Sequence, residues 1–161
     1  MGERAMSPAR TAGALLTASR ALVGIAARSL ADVDVTLPQF RALVVLAGRS
    51  GLTVTELAGS LSIHPSTATR LCDRLVARSL VRRSPSAEDR RETIVQLTAT
   101  GGRLVARVSD RRRADLEAIA SAMGPADRAA VVEALEIFAA AAGEPELLDP
   151  FGWVSGTDDP P

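Results

Sequence analysis

The sequence predicts a mainly α-helical protein with one small β-hairpin. Three observations lead there. Apolar residues make up 47% of the 161-residue chain and aromatics only 2%, so aliphatic side chains and Ala must build the core, and Ala favours helix. Thr36, Thr53 and Thr98 each stand before a helical pattern, and Gln39 and Glu56 complete capping boxes with the first two. Only Val81–Ser84 and Glu92–Leu97 read as strands, with β-branched Thr93, Ile94 and Val95 in the second.

The elements follow in order. Residues 11–30 form a helix with Leu15, Leu16, Ser19, Leu22, Val23, Ala26 and Leu30 at helical spacing. Asp32 to Thr36 is a break. The helix after Thr36 carries Phe40, Leu43, Val44 and Ala47 on one face, and Gly51 is expected to end it. Behind Thr53 comes a short helix with Val54, Leu57, Ala58 and Leu61, then a turn at Ser62-Ile63-His64. Pro65 suits the first position of the next helix, 65–79, where its missing N–H costs nothing.

That helix has two faces. Ala68, Leu71, Cys72, Leu75 and Val76 fall within about 140° of one another at about 100° per residue. Ser66, Arg70, Asp73 and Ala77 lie opposite, flanked by Thr69 and Arg74. The two strands enclose a polar loop, Pro85 to Arg91. Thr98 caps a long helix over 99–123 with Leu104, Val108, Leu116, Ile119 and Met123 as apolar positions. Gly124-Pro125 breaks it before a last helix, 126–142, with Val131, Val132, Leu135 and Phe138. The faces of 11–30 and 126–142 are too extensive for the small central lobe to cover. The acidic, Pro-rich stretch 144–161 has the composition of an unstructured extension.

Composition excludes several classes. No run of about eighteen apolar residues exists to span a membrane, and no signal peptide is visible. One Cys excludes an internal disulfide framework and one His excludes most His-based metal sites, so the default location is a reducing cytoplasm. No Ser–His–acid set, Gly-rich phosphate loop or metal spacing is present, so neither an enzyme nor a cofactor or metal site is expected. All nineteen basic residues are Arg and the net charge is zero, but residues 64–113 hold twelve Arg against five acids. Such a block is either a polyanion-binding surface or a solvated face.

The order of two short helices, tight turn, polar-faced helix and Arg-bearing hairpin is that of a winged helix-turn-helix. A major groove about 12 Å wide admits one helix. Ser66, Thr67 and Thr69 are small enough to let its backbone approach the bases, and Arg70 and Arg74 can reach base edges or phosphates. The hairpin tip then lies beside the minor groove, whose negative potential favours an inserted Arg.

Leu71-Cys72-Asp73-Arg74-Leu75-Val76, then Asp89-Arg90-Arg91, then Val95-Gln96-Leu97-Thr98 and Gly101, resemble the MarR family of bacterial transcriptional regulators over about residues 10–142. The resemblance implies an obligate homodimer whose first and last helices intertwine. Residues 1–35 and 99–143 would then be the helical dimerisation region, and 36–98 the DNA-binding lobe. It implies a repressor on a pseudo-palindromic double-stranded operator, released by a small, often aromatic, effector bound between the two regions. Arg91 matches the wing Arg of the minor groove, with Arg90 beside it, and Asp89 matches the acid that braces it. Ser66, Thr67, Thr69 and Arg70 match the groove-facing start of the recognition helix. The alternative reading is a winged-helix module that binds protein and not DNA.

Three residue sets have competing readings. Cys72 reads as a core thiol rather than an oxidant sensor, and a Cys72–Cys72 bridge is excluded because recognition helices of a dimer sit about 34 Å apart while a disulfide needs about 7 Å. His64 reads as a cap or turn residue, the alternatives being a phosphate or ligand contact. Arg111-Arg112-Arg113 reads as a solvated face, the alternatives being flanking phosphate or acids of a partner subunit.

Overall fold

The computed structural model describes residues 7–86 and 92–143. Among these residues six helices and two of the three strands follow the expected order, with a short strand β1 added: α1 Pro8–Ser29, α2 Leu37–Ala47, β1 Leu52–Thr53, α3 Val54–Leu61, α4 Pro65–Ala77, β2 Val81–Pro85, β3 Thr93–Leu97, α5 Ala99–Ser121 and α6 Pro125–Ala141. The fold is mainly helical with a small antiparallel sheet, as the sequence predicts.

Local signals set the helix ends. Both capping boxes form, with Gln39 Oε1 accepting from the Thr36 N–H at 2.8 Å and Glu56 Oε2 from the Thr53 N–H at 2.7 Å. These bonds to its ionised form hold the Glu56 carboxyl below its ordinary pKa. α1 starts earlier than expected because Ser7 caps it and Pro8 fills the first turn. α4 stops at Ala77, short of the expected Ser79, which instead takes a left-handed φ of 56° and turns the chain into β2.

Two readings around the first turn of the lobe are corrected. Gly48, and not Gly51, ends α2. Gly51 has φ +153° and leads into β1, a strand absent from the sequence reading. β1 is only two residues long, and its partner is distant in sequence. Leu52 pairs with Val95 and Thr53 with Ile94, placing β3 at the centre of the order β1-β3-β2. β2 pairs with β3 from Val81↔Leu97 to Pro85↔Thr93, and Pro85 is tolerated because β2 is an edge.

One core joins α2, α3, α4, the sheet and the first half of α5. Leu43, Leu57, Cys72, Leu75, Val95, Val105 and Val108 have no exposure within it. Ile25 and Val105 are core residues that the helical pattern alone did not single out. Conversely, Leu16, Val23, Leu116, Ile119, Val131, Val132, Leu135, Ile137 and Phe138 are exposed, and α6 buries nothing.

α5 is docked onto the lobe by a close backbone approach. Thr98 Oγ1 donates to the Ser79 and Leu80 carbonyls (2.7 and 3.0 Å) and accepts the Gly101 N–H at 3.0 Å. A Cβ at Gly101 would collide with the Leu80 carbonyl oxygen and press on Leu97. Both sides of that clash involve backbone or packed side chain, so neither yields freely. Gly101→Ala is expected to destabilise the protein by about 1–3 kcal/mol, the usual cost of overpacking. Thermal unfolding checks this, and an unchanged melting temperature would contradict the tight junction.

Candidate nucleic-acid interface

The turn before α4 is built from backbone and cap chemistry. Ser62 adopts φ 54°, and the Ile63 N–H reaches back to the Ala58 carbonyl at 3.0 Å, closing α3. His64 is the N-cap of α4: its Nδ1 accepts the Ser66 N–H at 3.3 Å and lies 2.9 Å from Ser66 Oγ. An Nδ1 that accepts a backbone N–H carries no proton, so the Ser66 hydroxyl donates to it. The cap reading of His64 is therefore the one the structure bears out.

α4 buries Ala68, Leu71, Cys72 and Leu75 and exposes Ser66, Thr67, Thr69, Arg70, Asp73, Arg74 and Ala77. All five expected site residues of this helix thus share its open side. Thr69 Oγ1 donates to the Pro65 carbonyl at 3.0 Å, which satisfies its hydroxyl proton within the helix. Cys72 is fully buried, and that burial pushes its thiol pKa up, with Asp73 adding to the effect and Arg83 opposing it. The core-thiol reading of Cys72 agrees with this.

The hairpin stem is tied to α4 and to the start of the lobe. Arg83 on β2 donates to Asp73 on α4 at 2.7 Å. Ser84 Oγ donates to Gln96 Oε1 at 3.2 Å, and Gln96 Nε2 donates to the Ser50 carbonyl at 2.8 Å. Sequence reasoning gave neither Arg83 nor Gln96 a role. The strands converge on the Ser86–Glu92 backbone bond of 2.8 Å. Asp89, Arg90 and Arg91, and the stretch 144–161, lie outside the described residues.

The arginines fall into two groups. Arg78 pairs with Asp34 at 2.8 Å, Arg111 with Asp32 at 2.8 Å, Arg28 with Asp115 at 3.4 Å and Arg83 with Asp73 at 2.7 Å. Arg111 thus meets an acid of its own chain while both side chains stay 43% and 71% accessible, which is compatible with a solvated face. Arg70, Arg74 and Arg82 have no acidic partner among the described residues. Arg41 of α2 and Arg103 and Arg107 of α5 likewise show no ion pair among the described residues, so α4 and β2 carry part of the unneutralised charge. Among the described residues no His/Cys/Asp/Glu cluster could hold a metal, and no helix is long and apolar enough to cross a membrane.

A helix presenting small polar groups and unpaired guanidinium groups beside a β-hairpin defines the class of a winged helix-turn-helix. Comparison with known proteins narrows it. The model of the MarR family matches residues 35–93. The uncharacterized HTH-type transcriptional regulator YfiV of Bacillus subtilis is 31% identical over 109 residues, 68% of this chain and 68% of its own length. The multiple antibiotic resistance protein MarR of Salmonella typhimurium is 30% identical over 106 residues, 66% of this chain and 74% of its own. The crystal structure of RV1404 from Mycobacterium tuberculosis superposes with a TM-score of 0.79 at 41% identity, covering 88% of this chain and 99% of that one. The chain belongs to the MarR family. Members are DNA-binding transcriptional regulators and not enzymes, typically dimeric, and some respond to small molecules.

The burial of Cys72 makes a direct expectation. A thiol-exchange reagent should leave the native protein unlabelled over the time in which urea-unfolded protein reacts completely, and peroxide should leave DNA affinity unchanged. Prompt stoichiometric labelling of the native protein, or peroxide-induced release lost in Cys72→Ser, would contradict it.

Proposed function

We propose that this chain is a homodimeric repressor of a pseudo-palindromic operator, released by a small aromatic effector. Residues 36–98 form the DNA-binding lobe, and residues 1–35 with 99–143 the dimerisation region. The observation that carries the reading is the open side of α4: Ser66, Thr67, Thr69, Arg70 and Arg74 together, with no acid neutralising either Arg among the described residues. α4 enters the major groove, and the hairpin loop 85–91 reaches the minor groove with Arg90 and Arg91, braced by Asp89. The effector component rests on family membership.

Exposed apolar residues support the dimer. Leu16 and Val23 of α1, Leu116 and Ile119 of α5, and Val131, Val132, Leu135, Ile137 and Phe138 of α6 lie open in the single chain, with Leu16 67% and Ile137 63% exposed. These helices flank the lobe in sequence on both sides, so one partner copy can cover all three. Sedimentation at micromolar concentration should show a dimer. Leu135→Glu or Phe138→Glu should weaken it and make the melting temperature more dependent on protein concentration. A wild-type monomer, or a dimer indifferent to both substitutions, would sink this part of the reading.

The DNA reading is tested by titrating duplexes captured from sheared genomic DNA at several salt concentrations. Log K should fall linearly with log salt, by about 0.9 for each phosphate neutralised. Arg91→Ala should weaken operator binding and flatten that slope with no change in melting temperature, and Asp89→Ala should do so less. No duplex binding at low salt, with a protein partner recovered instead, would favour the interaction-module reading. An Arg91→Ala protein with a collapsed melting temperature would make Arg91 a structural residue.

A further inference from the structure

This inference rests on the proposal that α4 docks in a major groove, and concerns what it reads there. At about 100° per residue, the buried stripe Ala68, Leu71, Cys72 and Leu75 defines an outward direction. Ser66, Arg70, Asp73 and Ala77 lie within about 40° of that direction, whereas Thr69 and Arg74 are displaced by about 70° and Thr67 by about 90°. Residues at the centre of the open side face the floor of a groove. Residues at its flank face the walls, where the phosphates run.

The centre has few groups free to read a base. Ser66 Oγ lies 2.9 Å from His64 Nδ1, and its single proton cannot supply two parallel bonds to one base. The carboxylate of Asp73, which could have accepted from a cytosine amino group, already accepts from Arg83 at 2.7 Å. Ala77 offers only a methyl group. α4 contains neither Asn nor Gln, the side chains that recognise adenine through two parallel bonds. Arg70 remains: central, exposed and without an acidic partner among the described residues. A guanidinium fork matches the two acceptors that guanine alone presents side by side in the major groove, O6 and N7. Arg74, one turn further along and about 70° off centre, is placed for the backbone.

We infer that Arg70 is the specificity-determining residue of this chain, donating two hydrogen bonds to O6 and N7 of one guanine in each half-site, while Arg74 contacts a phosphate. The operator is thus a duplex in which each half-site carries a guanine at one fixed position.

The test is selection from random duplexes by the full chain, followed by titration of the selected duplex, its guanine replacements and a version carrying 7-deazaguanine, which lacks the N7 acceptor. Wild type should select the fixed guanine and lose roughly 5- to 150-fold in affinity when it is replaced by another base, the range of one two-point contact. It should also bind the 7-deazaguanine duplex more weakly. Arg70→Ala should melt like wild type and bind all of these duplexes equally. Arg74→Ala should keep the guanine preference and lose about 0.9 from the salt slope per phosphate contact removed. Half-sites selected without a fixed guanine would overturn the assignment, as would an Arg70→Ala protein that keeps the preference or an Arg74→Ala protein that loses it. A selection that enriches no duplex, with binding indifferent to salt, is a different failure: it removes the docking proposal and this inference with it.

Discussion

Ala68, Cys72 and Leu75 have no solvent exposure, and Leu71 only 9%. Removing one such side chain from a packed core costs about 2–5 kcal/mol. That penalty sets the rotation of α4 about its axis. Once the stripe is seated in the core beside α3 and β2, Ser66, Arg70, Asp73 and Ala77 point outward. The functional face of the helix is a consequence of what its other face buries. The same burial keeps the Cys72 thiol in the core, with its pKa raised, one residue away from a face that meets solvent.

The polar contacts around this core act on a smaller scale. Arg83–Asp73 and Arg78–Asp34 are partly exposed ion pairs, with side chains 36%/53% and 37%/95% accessible. Pairs of that kind contribute about 0–1 kcal/mol each and cannot hold a helix in place against the core. Their geometry is more telling. Arg83 joins the hairpin stem to the middle of α4, Arg78 joins the end of α4 to the segment after α1, and Arg111 joins α5 to that same segment. Thr98 fastens the start of α5 to the Leu80 carbonyl, and Gly101 lets the two backbones approach closely there.

What the sequence made legible was local. A capping box spans four residues, Pro65 marks its own position, and the two faces of α4 repeat within four turns. Each of these signals is complete before the chain folds. The misreadings were of long range. β1 is two residues whose pairing with Val95 and Ile94 depends on chain more than forty positions away. The end of α2 at Gly48 instead of Gly51 follows from that strand. Periodicity located apolar stripes on α1, α5 and α6 but could not say which parts face this chain's core. Ile25 and Val105 do, whereas Leu16, Leu116 and Ile119 do not. Within the interface, the small residues and free arginines of α4 were legible from spacing. The neutralisation of Asp73 by Arg83 was not, because long surface side chains choose partners only once the hairpin is placed. Asp89, Arg90 and Arg91 lie outside the described residues.

The central claim is that the open side of α4, in two copies, occupies successive major grooves on one face of a duplex. Hydroxyl-radical footprinting of the bound operator tests it most directly. Two symmetric protected patches are predicted, their centres about 10 base pairs or one helical turn apart, as two recognition helices of a dimer require. A single protected patch, or uniform protection without that spacing, would contradict the account.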